Sequence, residues 1–215
     1  YKILPKYAFL PLIICLGLNA FTYFGTRLFT TGLYHYDLSL PIDHMIPFTP
    51  FMMSVYVLAY VVWIVGFIVI GESREVCYEV LTAEQIAKLC CLVAFIAIPT
   101  TIIRPEVTGT GFFQWLSRLI YSMDSPDNLL PSVHCLENWI CFRGAMKCKK
   151  VGKGYKIFTL AAILVFASTL MVKQHVVLDV VAAIVVVELG LFLSRRFNLS
   201  KIYFIIEDRL FKKTN

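Results

Sequence analysis

This sequence is short of charge. Only 16% of its 215 residues are Asp, Glu, Lys or Arg, against about 25% in soluble domains. Apolar residues take up the difference, reaching 59% with a mean hydropathy of +0.74. A single soluble core cannot hide that much apolar surface, and leaving it outside a soluble domain promotes aggregation. Disorder, a solenoid of polar repeats and an ordinary cytosolic enzyme are excluded; a polytopic membrane protein is implied. Other signals are missing too. There is no CxxC pair, no HxxxH or HExxH spacing, and no Lys/Arg stripe interleaved with aromatics. Of the seven cysteines, Cys15, Cys90, Cys91 and Cys141 fall within apolar runs. They read as packing residues, and no disulfide framework is expected. Without a basic-aromatic stripe, the net charge of +6 reads as a positive-inside signal and not as nucleic-acid binding.

What remains is a series of apolar runs, each to be compared with the ~20 residues that cross a bilayer. Tyr7 to Thr26 is charge-free and is followed by no small-residue cleavage site, so it reads as a retained helix and not a signal peptide. Met45 to Gly71 is also charge-free, with Pro47 and Pro50 at its entrance. Leu89 to Ile103 lies between Lys88 and Arg104, and Ile157 to Val172 between Lys156 and Lys173. Val176 to Ser194 follows, interrupted by Asp179 and Glu188. Ser132 to Met146 is short and holds Glu137, Asn138 and Arg143, but a polar helix inside a bundle can face inward. Counting it gives six spans and places sixteen of the 20 basic residues on one side, including Lys2, Lys88, the 147–156 cluster, Lys212 and Lys213. Omitting it spoils that asymmetry. The expectation is therefore an all-α integral membrane protein: one domain over 1–215, a bundle of six transmembrane helices, both termini cytoplasmic, and an interfacial cytoplasmic tail over 197–215.

This topology puts His35, His44, His134 and His175 on the outer side, with Asp124, Asp127 and Asp179. Three segments there carry chemistry: Arg104-Pro105, Pro131-Ser132-Val133-His134, and Ser168 to Asp179. His175 and Asp179 are four apart and share a helix face. The spacing fits a mutually satisfied seal at a helix end. It also fits a dyad in which the carboxylate holds Nδ1–H and frees Nε2 as a nucleophile. Ser132 suits a helix N-cap, and the N–H groups behind it form an anion site. His134 lies in that first turn, either as an interfacial histidine or as a general acid. Arg104 is either a snorkelling helix-end residue or a donor fork for phosphate. Taken together, the parts suit phosphoryl transfer with no metal and no cofactor. Of the remaining features, Gly109 and Gly111 read as loop glycines, while Phe112, Phe113 and Trp115 read as an interfacial belt. Glu137 either lines the pocket or pairs with Arg143.

The ordered set resembles the three signature motifs of the type 2 phosphatidic acid phosphatase superfamily, KxxxxxxRP, PSGH and SRxxxxxHxxxD, over about 97–179. The resemblance implies six helices and a phosphohistidine mechanism. It implies His175 as nucleophile, Asp179 as its orienting acid and His134 as the acid for the leaving oxygen. It further implies Arg104, Ser132 and the Val133 backbone as phosphate ligands. Ala97, Val133 and Thr169 stand where the motifs have Lys, Gly and Arg. Lys173 and Arg118 are the outer cations available to compensate, and Lys173 joins the expected phosphate ligands. The Ser168-Thr169 and Lys173-Gln174-His175 pattern resembles the branch containing inositol phosphorylceramide and sphingomyelin synthases. The function expected is hydrolysis of a lipid phosphate ester at the outer face of a membrane, with the cell membrane as the expected location and the site on its extracytoplasmic side; the alternative is transfer of a phospho-head group to an alcohol, ceramide or diacylglycerol. A transporter and an inactive scaffold are the readings from other classes.

Overall fold

A computed structural model describes residues 4–211. Lys2, Lys212 and Lys213, assigned above to the inner side, lie outside the described residues, as does the end of the tail. The described elements are α1 (Lys6–Ala20), α2 (Arg27–Thr30), β1 (Tyr36–Asp37), α3 (Pro41–Met45), α4 (Met52–Gly71), α5 (Arg74–Ala97), β2 (Thr100–Thr101), α6 (Phe112–Met123), α7 (Val133–Lys147), α8 (Tyr155–Met171), α9 (Val177–Arg196) and α10 (Lys201–Phe211). The architecture is all-α apart from one parallel pairing of β1 with β2 and an isolated bridge from Thr101 to Asp127. A π-helical stretch, Phe21–Gly25, joins α1 to α2, so Lys6–Thr30 runs as one helical segment. That segment, α4, α5, Lys149–Met171 and α9 are five helices long and apolar enough to cross a membrane. Their large apolar side chains point outward, as with Ile13 and Leu16 on α1, Val61 and Ile64 on α4, and Leu160 and Ile163 on α8.

Helix boundaries follow the sequence except at the third run. The helix there is Arg74–Ala97, not Leu89 to Ile103. Ser73 caps its start by accepting from the Val76 N–H, and Pro99 stops it, since the residue before a proline is pushed out of the α region. The early charges are tolerated because they have partners. Glu79 meets Lys147 and Arg195, and Lys88 is buried against Glu137 at 2.6 Å and Asn19 at 2.6 Å. Lys88 is therefore an interior residue and not the inner-loop cation that the run boundaries suggested. Glu137 pairs with Lys88, while Arg143 pairs with Glu188. Arg104 correspondingly sits beyond β2 and not at a helix end.

The short polar helix is the centre of the bundle. At 15 residues, α7 is about 22 Å long, less than the ~30 Å of bilayer hydrocarbon, and it is not among the five long apolar helices. It packs against α4, α5, α8 and α9, so it has little need of an apolar exterior. Small residues bring its neighbours close: a Cβ on Gly66 would fall on Cys141, and one on Gly144 would fall on Ile70. Its N-terminal turn meets α9 through the Ser132 N–H, which donates to the Asp179 carbonyl at 3.1 Å. Its far end meets the end of α4 and the start of α5, where the Cys148 thiol donates to the Val69 carbonyl and Lys147 pairs with Glu79. Thus α7 runs from one end of the bundle to the other. α6 was expected only as an aromatic belt. It is an amphipathic helix with Phe112, Trp115 and Met123 exposed and Leu116, Ile120 and Tyr121 turned onto Met53, Tyr56 and Val172. In the tail, α10 folds against α5: Tyr203 donates to Gln85, and Glu207 meets Arg74 and Tyr78.

Candidate active site

Three chain segments converge at the end of the bundle where α7 and α9 begin. Ser132 caps α7, its Oγ accepting from the Cys135 N–H at 3.3 Å. This fixes the first turn and places His134 on it. The α8–α9 junction turns sharply at Lys173, whose φ is +51°. There the Gln174 and His175 N–H groups both donate to the Thr169 carbonyl, at 3.0 and 3.2 Å. Thr169, at the position where the resembling motif has arginine, is fully buried, and its backbone shapes this turn. Asp179 Oδ2 lies 3.2 Å from His175 Nδ1 and also accepts from the Val176 N–H at 3.0 Å. One carboxylate therefore caps α9 and holds the imidazole, leaving Nε2 free.

His134 and His175 face each other with ring centroids 6.4 Å apart. The His134 ring stacks on Tyr56 at 4.1 Å and lies beside Trp63 at 5.1 Å and Tyr60 at 5.4 Å. Its Nδ1 is 3.3 Å from the Tyr56 hydroxyl, while Nε2 is buried without a partner. Arg104 donates to the Asp124 carbonyl and to Gln174 Oε1, lies 3.8 Å from the Asp124 carboxylate, and stacks over Tyr121 at 4.7 Å. Burial pushes the Tyr121 phenol up to about 12, so it stays a neutral donor, here to the Val172 carbonyl. Several buried donors converge on this region unpartnered: Arg104 Nε, Gln174 Nε2 and Trp63 Nε1. Unmade bonds of this kind are costly unless a ligand completes them, and an anion would satisfy them.

Two cavities reach His175. One, of about 470 Å³, is also lined by Val133, His134, Gln174, Tyr56 and Trp63. The other, of about 500 Å³, is lined by Arg104, Lys173, His44, Asp43 and Asp37. The structure thus brings together His175, Asp179, His134, Ser132, Val133 and Arg104. Lys173 borders the second cavity, but its ammonium is engaged by the Asp43 and Ile46 carbonyls at 2.7 and 2.6 Å. It straps α3 to the turn that carries His175, and Asp43 completes the strap by accepting from the Val177 N–H at 2.8 Å. Arg118 is spent on the Val107 and Gly109 carbonyls and lines neither cavity. His35 bonds to the Leu33 carbonyl of its own loop. Among the described residues no group of three or more His, Cys, Asp or Glu side chains is placed to hold a metal ion.

The sequence reading missed Gln174 as a functional residue, and also Tyr56, Tyr60 and Trp63. The aromatic trio carried a signal within its apolar run: three ring-bearing residues with polar handles, spaced four and three apart, share one helix face. Asp124 was grouped with the histidines, and the structure sets it in the same region, but nothing in its loop tied it to Arg104. No family model matches this chain, and neither a curated protein nor a solved structure is significantly similar to it.

Proposed function

We propose that this chain is an integral membrane enzyme that cleaves a lipid phosphate ester through a phosphohistidine. The observation that carries the reading is the facing pair of histidines: two imidazoles, one on the first turn of α7 and one in the α8–α9 junction, with ring centroids 6.4 Å apart, Asp179 on one and an unpartnered Nε2 on the other. That separation leaves room for one phosphorus, with each ring within hydrogen-bond reach of it or its oxygens. His175 Nε2 attacks phosphorus, the bond from phosphorus to the ester oxygen breaks, and His134 gives that oxygen a proton. Water then attacks the phosphohistidine, His134 takes a proton from it, and phosphate and free His175 are restored. Arg104, Gln174 and the N–H groups of Val133 and His134 in the first turn of α7 hold the equatorial oxygens, with Lys173 setting the turn that carries His175. No metal or cofactor enters this scheme.

The outward-facing apolar belt supports insertion in a bilayer. The end-to-end course of α7 supports a sixth crossing, with both termini cytoplasmic and the histidines on the extracytoplasmic side of the cell membrane. Four of the charges that a transporter would display along a path are paired with each other instead, Lys88 with Glu137 and Arg143 with Glu188. The alternative is a phosphotransferase in which a lipid alcohol replaces water; the Ser168-Thr169 and Lys173-Gln174-His175 pattern favours it.

A rapid-quench assay with ³²P-labelled substrate tests the histidine roles. His175→Ala abolishes the acid-labile phosphoenzyme with every substrate. His134→Ala loses the ~10²–10⁴-fold typical of general acid catalysis on alkyl phosphates, and much less in the first step with nitrophenyl phosphate, whose leaving group needs no proton. Label persisting in His175→Ala overturns the assignment of the nucleophile.

A further inference from the structure

We propose that the 470 Å³ cavity is a lateral portal holding the hydrocarbon chain of the phosphoryl donor, so that the lipid reaches His175 from the flank of the bundle and not from its outer loops. The identity of the head group rests on the phosphoryl-transfer reading above; the path of the chain is argued from the cavity itself.

The cavity fills the seam between α1 and α4. α1 packs chiefly on α5, and α4 chiefly on α7 and α8, which leaves the facing sides of α1 and α4 apart. At its rim are Leu16, 66% exposed, Phe24, 63% exposed, and Met123, 73% exposed, all part of the outward apolar belt. At its inner end are Tyr56, only 2% exposed, His134 and His175. A continuous space therefore joins the face that a bilayer would cover to the two imidazoles. Its volume lies within the ~300–1,000 Å³ of small-molecule sites.

Polarity changes along this space as it does along an amphiphile. The rim is apolar. The depth carries two buried donors without partners, Trp63 Nε1 and Gln174 Nε2. A chain lying outward with its ester oxygens inward satisfies both ends at once, and the indole N–H meets an oxygen between chain and phosphorus. The second cavity has the opposite character. It is bounded by Asp37 of β1, Ser39, Asp43 and His44 of α3, Arg104 and Lys173, and it meets the first at His175. It suits water and inorganic phosphate. The site thus has an apolar door for the donor and a polar door for the small hydrophilic species.

The test uses the full chain in lipid nanodiscs. The probe is a long-chain alkyl phosphate carrying a diazirine close to its phosphate end. After illumination, residue-level mass spectrometry should find label on Tyr56, which bulk lipid cannot touch, together with Tyr60 or Trp63. Label confined to 37–48 and 102–105, or to outward faces alone, overturns the portal. Ala20→Trp, at a position lining the seam, supplies a second measurement. Overfilling the passage should lower turnover of the long-chain alkyl phosphate relative to nitrophenyl phosphate by roughly tenfold or more; an unchanged ratio counts against the portal. Label on Tyr56 in a protein that turns over neither phosphate would overturn the phosphoryl-transfer reading and leave the portal standing. Turnover of both phosphates without label on Tyr56 would do the reverse.

Discussion

Removing the cation of the buried Lys88 cluster should destabilise this protein more than removing either of its acids. Lys88 is fully buried, and its Nζ lies 2.6 Å from Glu137 Oε1 and 2.6 Å from Asn19 Oδ1. Glu84, one turn earlier on α5 and 1% exposed, is close enough to act on the same ammonium. The one cation therefore compensates Glu137 inside a cluster that also holds Glu84, and it ties α1, α5 and α7 together. Breaking a buried ion pair by deleting one partner costs roughly 3–5 kcal/mol, because the survivor keeps its desolvation cost without its compensation. Lys88→Met leaves two acid groups and no cation in one buried cluster, and belongs at the top of that range. Glu137→Gln leaves the ammonium with Glu84, Asn19 and a neutral amide, and belongs at or below the bottom. For a chain of this length each 1 kcal/mol moves Tm by about 2–4 °C, so Lys88→Met should lower Tm by roughly 10–20 °C and Glu137→Gln by about half that or less. The triple variant Lys88→Met, Glu84→Gln, Glu137→Gln should recover much of the loss, since no unpaired charge remains. Thermal unfolding in nanodiscs, followed by intrinsic fluorescence, measures all three. Equal losses for the two single variants, or a triple variant worse than Lys88→Met, would refute the shared-cation account.

The same cluster shows where sequence and structure part company. A hydropathy run ends at its first charge, so Lys88 looked like the inner boundary of a span. Its partner Glu137 belongs to another helix, and only tertiary packing shows that the two charges neutralise each other inside. Local spacing was more informative. His175 and Asp179 stand four apart, and the structure pairs them at 3.2 Å. Ser132 precedes a helical turn and caps it. Pro99, which ends α5, was visible in the sequence but was overridden by the apolar residues around it. Gln174 gave no signal because a neutral amide has no charge pattern; it matters because the chain turn sets it against Arg104. Asp43 was equally silent. Its role is to accept from the Val177 N–H, a contact between a short outer helix and the start of α9 that no local pattern encodes. What the sequence carried was periodicity and caps; what it hid were contacts between segments far apart in the chain.

Three further outcomes are expected. Asp43→Ala should lower Tm by a few degrees in the same unfolding assay, because the Val177 N–H loses the kind of capping bond worth about 0.5–2 kcal/mol, and should slow phosphoenzyme formation by loosening the strap over His175. Phosphoryl transfer should survive EDTA, since the scheme places its positive charge on Arg104 and backbone N–H groups; activity lost on chelation and restored by zinc or magnesium would require a metal. The last concerns the sixth crossing, where the length of α7 and its course through the bundle give opposite indications. At about 22 Å it is short for a bilayer. Yet its N-terminal turn bonds to α9 beside the histidines, and its C-terminal end lies against the start of α5, with Lys150 paired to Glu72 at 2.6 Å. On the proposed topology, a helix whose two ends meet opposite ends of crossing helices crosses with them. Single cysteines placed at 39, 73 and 150 in a Cys-free background should therefore divide into two sets: 73 and 150 protected from an impermeant thiol reagent applied outside, 39 reactive to it. Reaction at 150 together with 39 would show that α7 turns back within the membrane, and would place the basic 147–156 segment on the same side as His134 and His175.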